Sequence, residues 1–117
     1  MSALRAGDAR SAASSFSAAC ALSRHDALGE DACFWSGAAA KRAGDTQTAR
    51  TALTSFLHDF PSSARAPEAS ALLGWILLDA NDLDGAAALF HRAEHDRVPQ
   101  VRDSAQRGLT AIERKRH

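Results

Sequence analysis

A chain of 117 residues, 45% hydrophobic and 24% charged, is long enough for one compact domain or about three helix pairs, and too apolar for a disordered segment. Its 14 basic and 14 acidic residues cancel, so the basic excess that draws a protein to nucleic acid is missing and no nucleic-acid partner is expected. No apolar run approaches the roughly 18 residues needed to span a bilayer, so no direct membrane insertion is expected.

Six helical segments follow in chain order, and no segment alternates with period two. The first runs from about Asp8 to Ala21, with Ala12, Phe16 and Ala19 on one face. The polar stretch from Ser23 to Gly29 reads as a connection. A second helix spans about Glu30 to Ala43 and stops at Gly44, a residue suited to the left-handed conformation that ends helices. Asp45 caps the third, which carries Ala49, Leu53, Phe56, Leu57 and Phe60 and is stopped by Pro61. Pro67 and Glu68 suit the first turn of the fourth helix, which runs to about Ala80. Asn81 takes the place that Gly44 holds earlier, and Asp82 caps the fifth helix, expected to end near Val98-Pro99. A sixth helix covers about Gln100 to Arg114, before the basic tail Lys115-Arg116-His117.

These segments repeat at a spacing of 37 residues. Gly7-Asp8, Gly44-Asp45 and Asn81-Asp82 keep that spacing, as do Ala12, Ala49 and Ala86, then Phe16, Leu53 and Phe90. Ala19, Phe56 and Ala93 follow the same register, and Gly37 recurs as Gly74. A fixed period in this range marks stacked helix pairs, each burying its apolar face against a neighbour. The expected architecture is all-α, an α-solenoid of antiparallel helix pairs. Its expected divisions are a partial first unit (1–29), a second (30–65), a third (66–99), a capping helix (100–114) and the tail (115–117).

Two helices, a Gly-Asp or Asn-Asp turn, then Ala-x-x-x-Phe-x-x-Ala: these residues resemble the tetratricopeptide repeat. The usual aromatic near the start of the first helix is replaced by Cys33 and Ser70, and the period is longer than the common one. With the stretch from Phe60 to Ala69, the chain is similar to the repeats of two bacterial envelope proteins. These are the Tol-Pal-associated cell-division coordinator and the outer-membrane-assembly lipoprotein. The resemblance implies a right-handed solenoid and a non-catalytic scaffold that binds a protein or peptide. In that family the first helix of each pair lines a concave groove. Carried over by position, the groove would use Phe34, Lys41 and Arg42 in the central unit, Trp75 and Asp79 in the next, and Arg102 from the cap. Two aromatics flanked by cations suit a peptide with an acidic end or side chain.

The first unit has no partner helix before it, so Phe16 marks an open face on which the chain could self-associate; this is the alternative reading. Without a signal-like N-terminus the chain reads as cytoplasmic, and as periplasmic if it is part of a longer envelope protein.

Chemistry has little footing. His91-Arg92-Ala93-Glu94-His95 matches the H-x-x-E-H pattern of inverted zinc peptidases. A metal-dependent hydrolase built on His91 and His95 is a distant third reading, since such an enzyme needs a remote acidic ligand and a cleft. The plainer interpretation is a solvated helix face, with no metal and no cofactor. His25-Asp26 and His58-Asp59 read as surface groups. Cys20 and Cys33 stand at the end of one helix and the start of the next; they read first as two small buried hydrophobes, with a disulfide as the other outcome. No nucleophile elbow or glycine-rich phosphate loop is present, so no enzyme activity is expected.

Overall fold

The computed structural model describes residues 6–23 and 26–116; the expected surface role of His25 and the last residue of the tail lie outside them. Six helices follow one another: α1 (Ala6–Leu22), α2 (Ala27–Arg42), α3 (Thr46–Asp59), α4 (Ala66–Asp79), α5 (Leu83–Ala93) and α6 (Pro99–Arg116). There is no strand among the described residues, and the fold is all-α, of the helical-repeat type. The chain forms two compact units, residues 1–63 and 64–117.

In the first unit the turn between α2 and α3 is closed by its own chemistry. Gly44 adopts φ +81°, which lets its N–H reach the Lys41 carbonyl at 3.1 Å and the Asp45 N–H reach the Ala40 carbonyl at 2.9 Å. Two orphan carbonyls of α2 are thereby satisfied. Asp45 Oδ1 then accepts the Thr48 N–H at 3.2 Å and caps α3. The second unit repeats this arrangement 37 residues later. Asn81, at φ +65°, donates to the Leu78 carbonyl at 2.9 Å, Asp82 donates to that of Leu77 at 2.8 Å, and Asp82 Oδ1 caps α5 through the Gly85 N–H at 3.0 Å. The 37-residue period therefore exists at the level of single hydrogen bonds.

Four expected boundaries are corrected. Gly7-Asp8 is no turn: both residues are helical, inside the first turns of α1. The helix expected from Glu30 starts earlier, at Ala27, because Asp26 Oδ1 accepts the Gly29 N–H at 2.8 Å and caps it. α5 ends at Ala93, not near Pro99, and α6 starts with Pro99 and runs to Arg116. Proline at the first helical position loses no hydrogen bond, which is why it begins a helix rather than closing the previous one.

The core of the first unit is small and aromatic. Phe34, Leu53 and Phe56 are almost completely buried, with Phe34 edge-on to Phe56 at 5.7 Å between ring centroids. Gly37 permits the contact between α2 and α3, since a Cβ there would lie 2.7 Å from the Leu53 side chain. The Ser63 hydroxyl donates to the Glu30 carboxylate, tying the end of this unit to the start of α2. Among the described residues α1 packs against α2 alone. In the second unit Phe90 fills the space between α4 and α6, meeting Gly74 on one and Gly108 on the other. Gln106 Nε2 adds a bond from α6 to the Glu94 carbonyl, the end of α5, at 3.0 Å.

Candidate functional site

In the first unit, Trp35, Ala38, Ala39 and Arg42 recur at i, i+3, i+4 and i+7 along α2, which puts them on one stripe. Ala12 and Phe16, one turn apart on α1, stand beside that stripe, and together the two helices enclose a notch of about 90 Å³. Trp35 is 40% exposed, with its ring 6.5 Å from that of Phe16 and edge-on to Phe34 at 5.1 Å. Arg42 lines the notch, is exposed, and makes no ion pair among the described residues; Lys41 beside it is half-buried. Phe34 itself lies in the core at 0% exposure. The repeat position points to Phe34, but the aromatic that reaches solvent is its neighbour Trp35. The missed signal was a second stripe of helical spacing on α2, offset by one residue from the first.

In the second unit the Trp75 indole Nε1–H donates to Ser104 Oγ at 2.9 Å, and its ring stands edge-on to Phe90 at 5.3 Å. Trp75 is half-buried and joins α4 to α6, while Asp79 is exposed. Arg102 is half-buried, with Nε 3.6 Å from Asp103 Oδ1, a solvent-exposed pair that contributes little.

Cys20 and Cys33 are joined in a disulfide, with Cα atoms 4.6 Å apart. The expectation of two free, buried thiols is corrected. The short connection after α1 sets its last turn beside the second turn of α2, within the range that a disulfide spans. Behind the bridge, on the other side of the α1–α2 seam from the notch, opens a trench of about 370 Å³. Its lining includes Ser17 of α1, Cys33 and Ser36 of α2, and Thr48, Thr51 and Ser55 of α3.

The H-x-x-E-H segment does not present two histidines on one helix face. α5 ends at Ala93, so His95 falls in the following turn. His91 Nδ1 pairs with the Glu94 carboxylate, and His95 Nε2 lies 3.6 Å from its other oxygen. Both rings are largely exposed, and no group of three metal-capable side chains forms among the described residues.

Hydrogen bonds from the Thr48 hydroxyl and N–H hold the Asp45 carboxyl below the ordinary value of 3.8, with a smaller contribution from the Arg10 charge on α1. A depressed carboxylate stabilises the fold above its unfolded pKa and loses that contribution as pH falls through its folded value. The protection factor of the Thr48 amide, its exchange followed by NMR and divided into the intrinsic rate at each pH, is therefore expected to be flat near neutrality and to fall below about pH 4. Asp45→Asn should flatten that dependence.

A family model described as tetratricopeptide repeat matches residues 31–63, the stretch that holds most of α2, the Gly44-Asp45 turn and all of α3. Neither the curated proteins nor the solved structures gave a match, and nothing singles out the envelope-protein branch. Over its central helix pair, then, the chain is similar to the tetratricopeptide repeat, a family of non-catalytic modules that bind other proteins.

Proposed function

We propose that the protein is a non-catalytic scaffold that holds a peptide or a partner domain. The observation that carries this reading is the notch formed by Phe16, Trp35 and Arg42: a half-exposed aromatic pair with a cation at its edge, between α1 and α2, of which α2 lies in the stretch similar to the repeat family. A space of about 90 Å³ is far below the size of a small-molecule pocket and suits one side chain of a peptide. Arg42 and Lys41 favour an acidic group next to that side chain. In the second unit Trp75, Asp79 and Arg102 are further candidates by their positions in the repeat, although the Trp75 indole is already engaged by Ser104. Phe34 supports the site from behind, by holding Trp35 in place. A formal net charge of zero gives a nucleic-acid partner no electrostatic basis, and no helix among the described residues is long and apolar enough to cross a membrane.

Selection from a displayed library of free-carboxylate peptides tests the reading. Enriched peptides should pair a bulky apolar residue with an acidic group, and lose affinity at least about tenfold on Trp35→Ala or Arg42→Gln. Peptides that bind both variants and Trp75→Ala as well as wild type would show that these surfaces are not the site.

The half-buried Phe16 favours a second reading, self-assembly through the α1 side of the notch. Light scattering over a concentration series separates the two. Self-assembly requires a dimer that Phe16→Ala weakens, whereas a peptide receptor stays monomeric while binding its ligand.

A further inference from the structure

The notch and the disulfide lie on opposite sides of one seam. On α2 the notch takes residues 35, 38, 39 and 42, while the trench takes Cys33 and Ser36; on α1 the notch takes Ala12 and Phe16, the trench Ser17 and Cys20. Both depend on α1 staying against α2, and although α1 packs closely along α2 it buries no large side chain fully among the described residues. Among the described side chains of α1, Asp8 to Leu22, only Ala9 belongs to the buried core and the one aromatic is half-buried, and among the described residues the helix packs against α2 alone. A small-residue helix with so little apolar burial has a weak non-covalent grip. Its firm tie is the bond from Cys20 to Cys33, the latter 4% exposed and fixed in the body of α2.

We infer that the Cys20–Cys33 disulfide is a redox gate for the peptide-binding notch: oxidised, it holds the Phe16 wall in place; reduced, it releases α1 and dismantles the site. The inference rests on the notch being the binding site, and the trench is the route of access. Cys20 is half-buried and lines the trench beside Ser17, Thr48 and Thr51, so a small-molecule thiol reaches its sulfur from solvent. The thiolate attacks Cys20 Sγ, the Cys20–Cys33 bond breaks, and Cys33 leaves as a thiolate. A second thiolate attacks the external sulfur of the mixed disulfide and frees Cys20. Two small thiols thereby become one disulfide, giving two electrons to the bridge and their two protons to the cysteines. The bridge closes a loop with a sequence separation of 13, and opening such a loop shifts a local equilibrium by on the order of a hundredfold. The bridge stays closed in an oxidising compartment and opens in a reducing one, so the notch would report the redox poise around it.

Hydrogen exchange on the full chain provides the test, comparing the oxidised protein, the protein in dithiothreitol, and Cys20→Ser/Cys33→Ser. Amides of α1 from residue 9 to 22 should exchange at least about tenfold faster in the last two, while those of α2 and α3 keep their protection and α4 to α6 serve as reference. Equal protection of α1 in all three overturns the gate. So does loss of protection in α1, α2 and α3 together, which would make the bridge a staple for the whole unit. In parallel, N-acetyl-leucine is titrated while the Trp35 indole resonance is followed by NMR. Binding only to the oxidised form supports the gate. Equal binding to both forms overturns it and leaves the binding reading standing. Release of α1 without binding to either form removes the notch as the peptide site and the gate with it, leaving only a helix that reduction releases.

Discussion

Phe90→Ala is expected to cost about 3–5 kcal/mol of stability, the range for removing a fully buried aromatic side chain. The size of the effect comes from how Phe90 is enclosed. At 0% exposure it lies between two glycines, and a Cβ built on Gly74 would come within 2.7 Å of its ring, one on Gly108 within 2.3 Å. Helices α4 and α6 can therefore approach the ring only because neither carries a side chain there. Its removal leaves a hole that these backbones cannot fill without moving against each other. The same geometry predicts the reciprocal defect. Gly108→Ala overpacks the site and should cost about 1–3 kcal/mol, because the new methyl group meets the far edge of a ring with no room to retreat. Phe90→Leu shortens the side chain and should relieve part of that clash. Urea denaturation of the two single variants and the double variant forms a cycle. A double variant more stable than the sum of the single losses predicts supports the clamp. Strict additivity would mean that Gly108 and Phe90 do not share one space.

Phe34→Ala is expected to lose a similar amount, about 3–5 kcal/mol, this time from the first unit. The ring is fully buried between α2 and α3, edge-on to Phe56 at 5.7 Å and to Trp35 at 5.1 Å. Trp35→Ala should cost much less, since 40% of that residue is exposed and its removal leaves a dent in the surface rather than a cavity. The pair separates core from surface. Denaturation should single out Phe34→Ala, while peptide binding, measured where both variants are folded, should single out Trp35→Ala. If Phe34→Ala left stability unchanged and removed binding, Phe34 would be the groove residue that its position in the repeat suggests.

The contrast shows where the sequence is legible. The turns at Gly44-Asp45 and Asn81-Asp82 could be read in advance because their causes are local. A left-handed residue ends one helix, an aspartate caps the next, and all the hydrogen bonds lie within five residues. Gly7-Asp8 carries the same letters yet is helical. A glycine weakens a helix by only about 1 kcal/mol and does not stop one on its own. The end of α5 is not legible from Pro99, because a proline there opens α6 and does not close the helix before it.

What the chain determines by itself is the all-α class, the 37-residue register, the small residues at Gly37 and Gly74, and the large ones that meet them at Leu53 and Phe90. All of these follow from periodicity and from interactions between residues close in sequence. Tertiary packing decided the rest. Phe34 and Trp35 are adjacent, equally apolar and only about 100° apart around a helix, so periodicity cannot choose which one faces inward. The choice is made by the rotation of α2, which the close approach of Gly37 to Leu53 fixes. That rotation buries Phe34, turns Trp35 and Arg42 towards the notch, and leaves Cys33 facing Cys20.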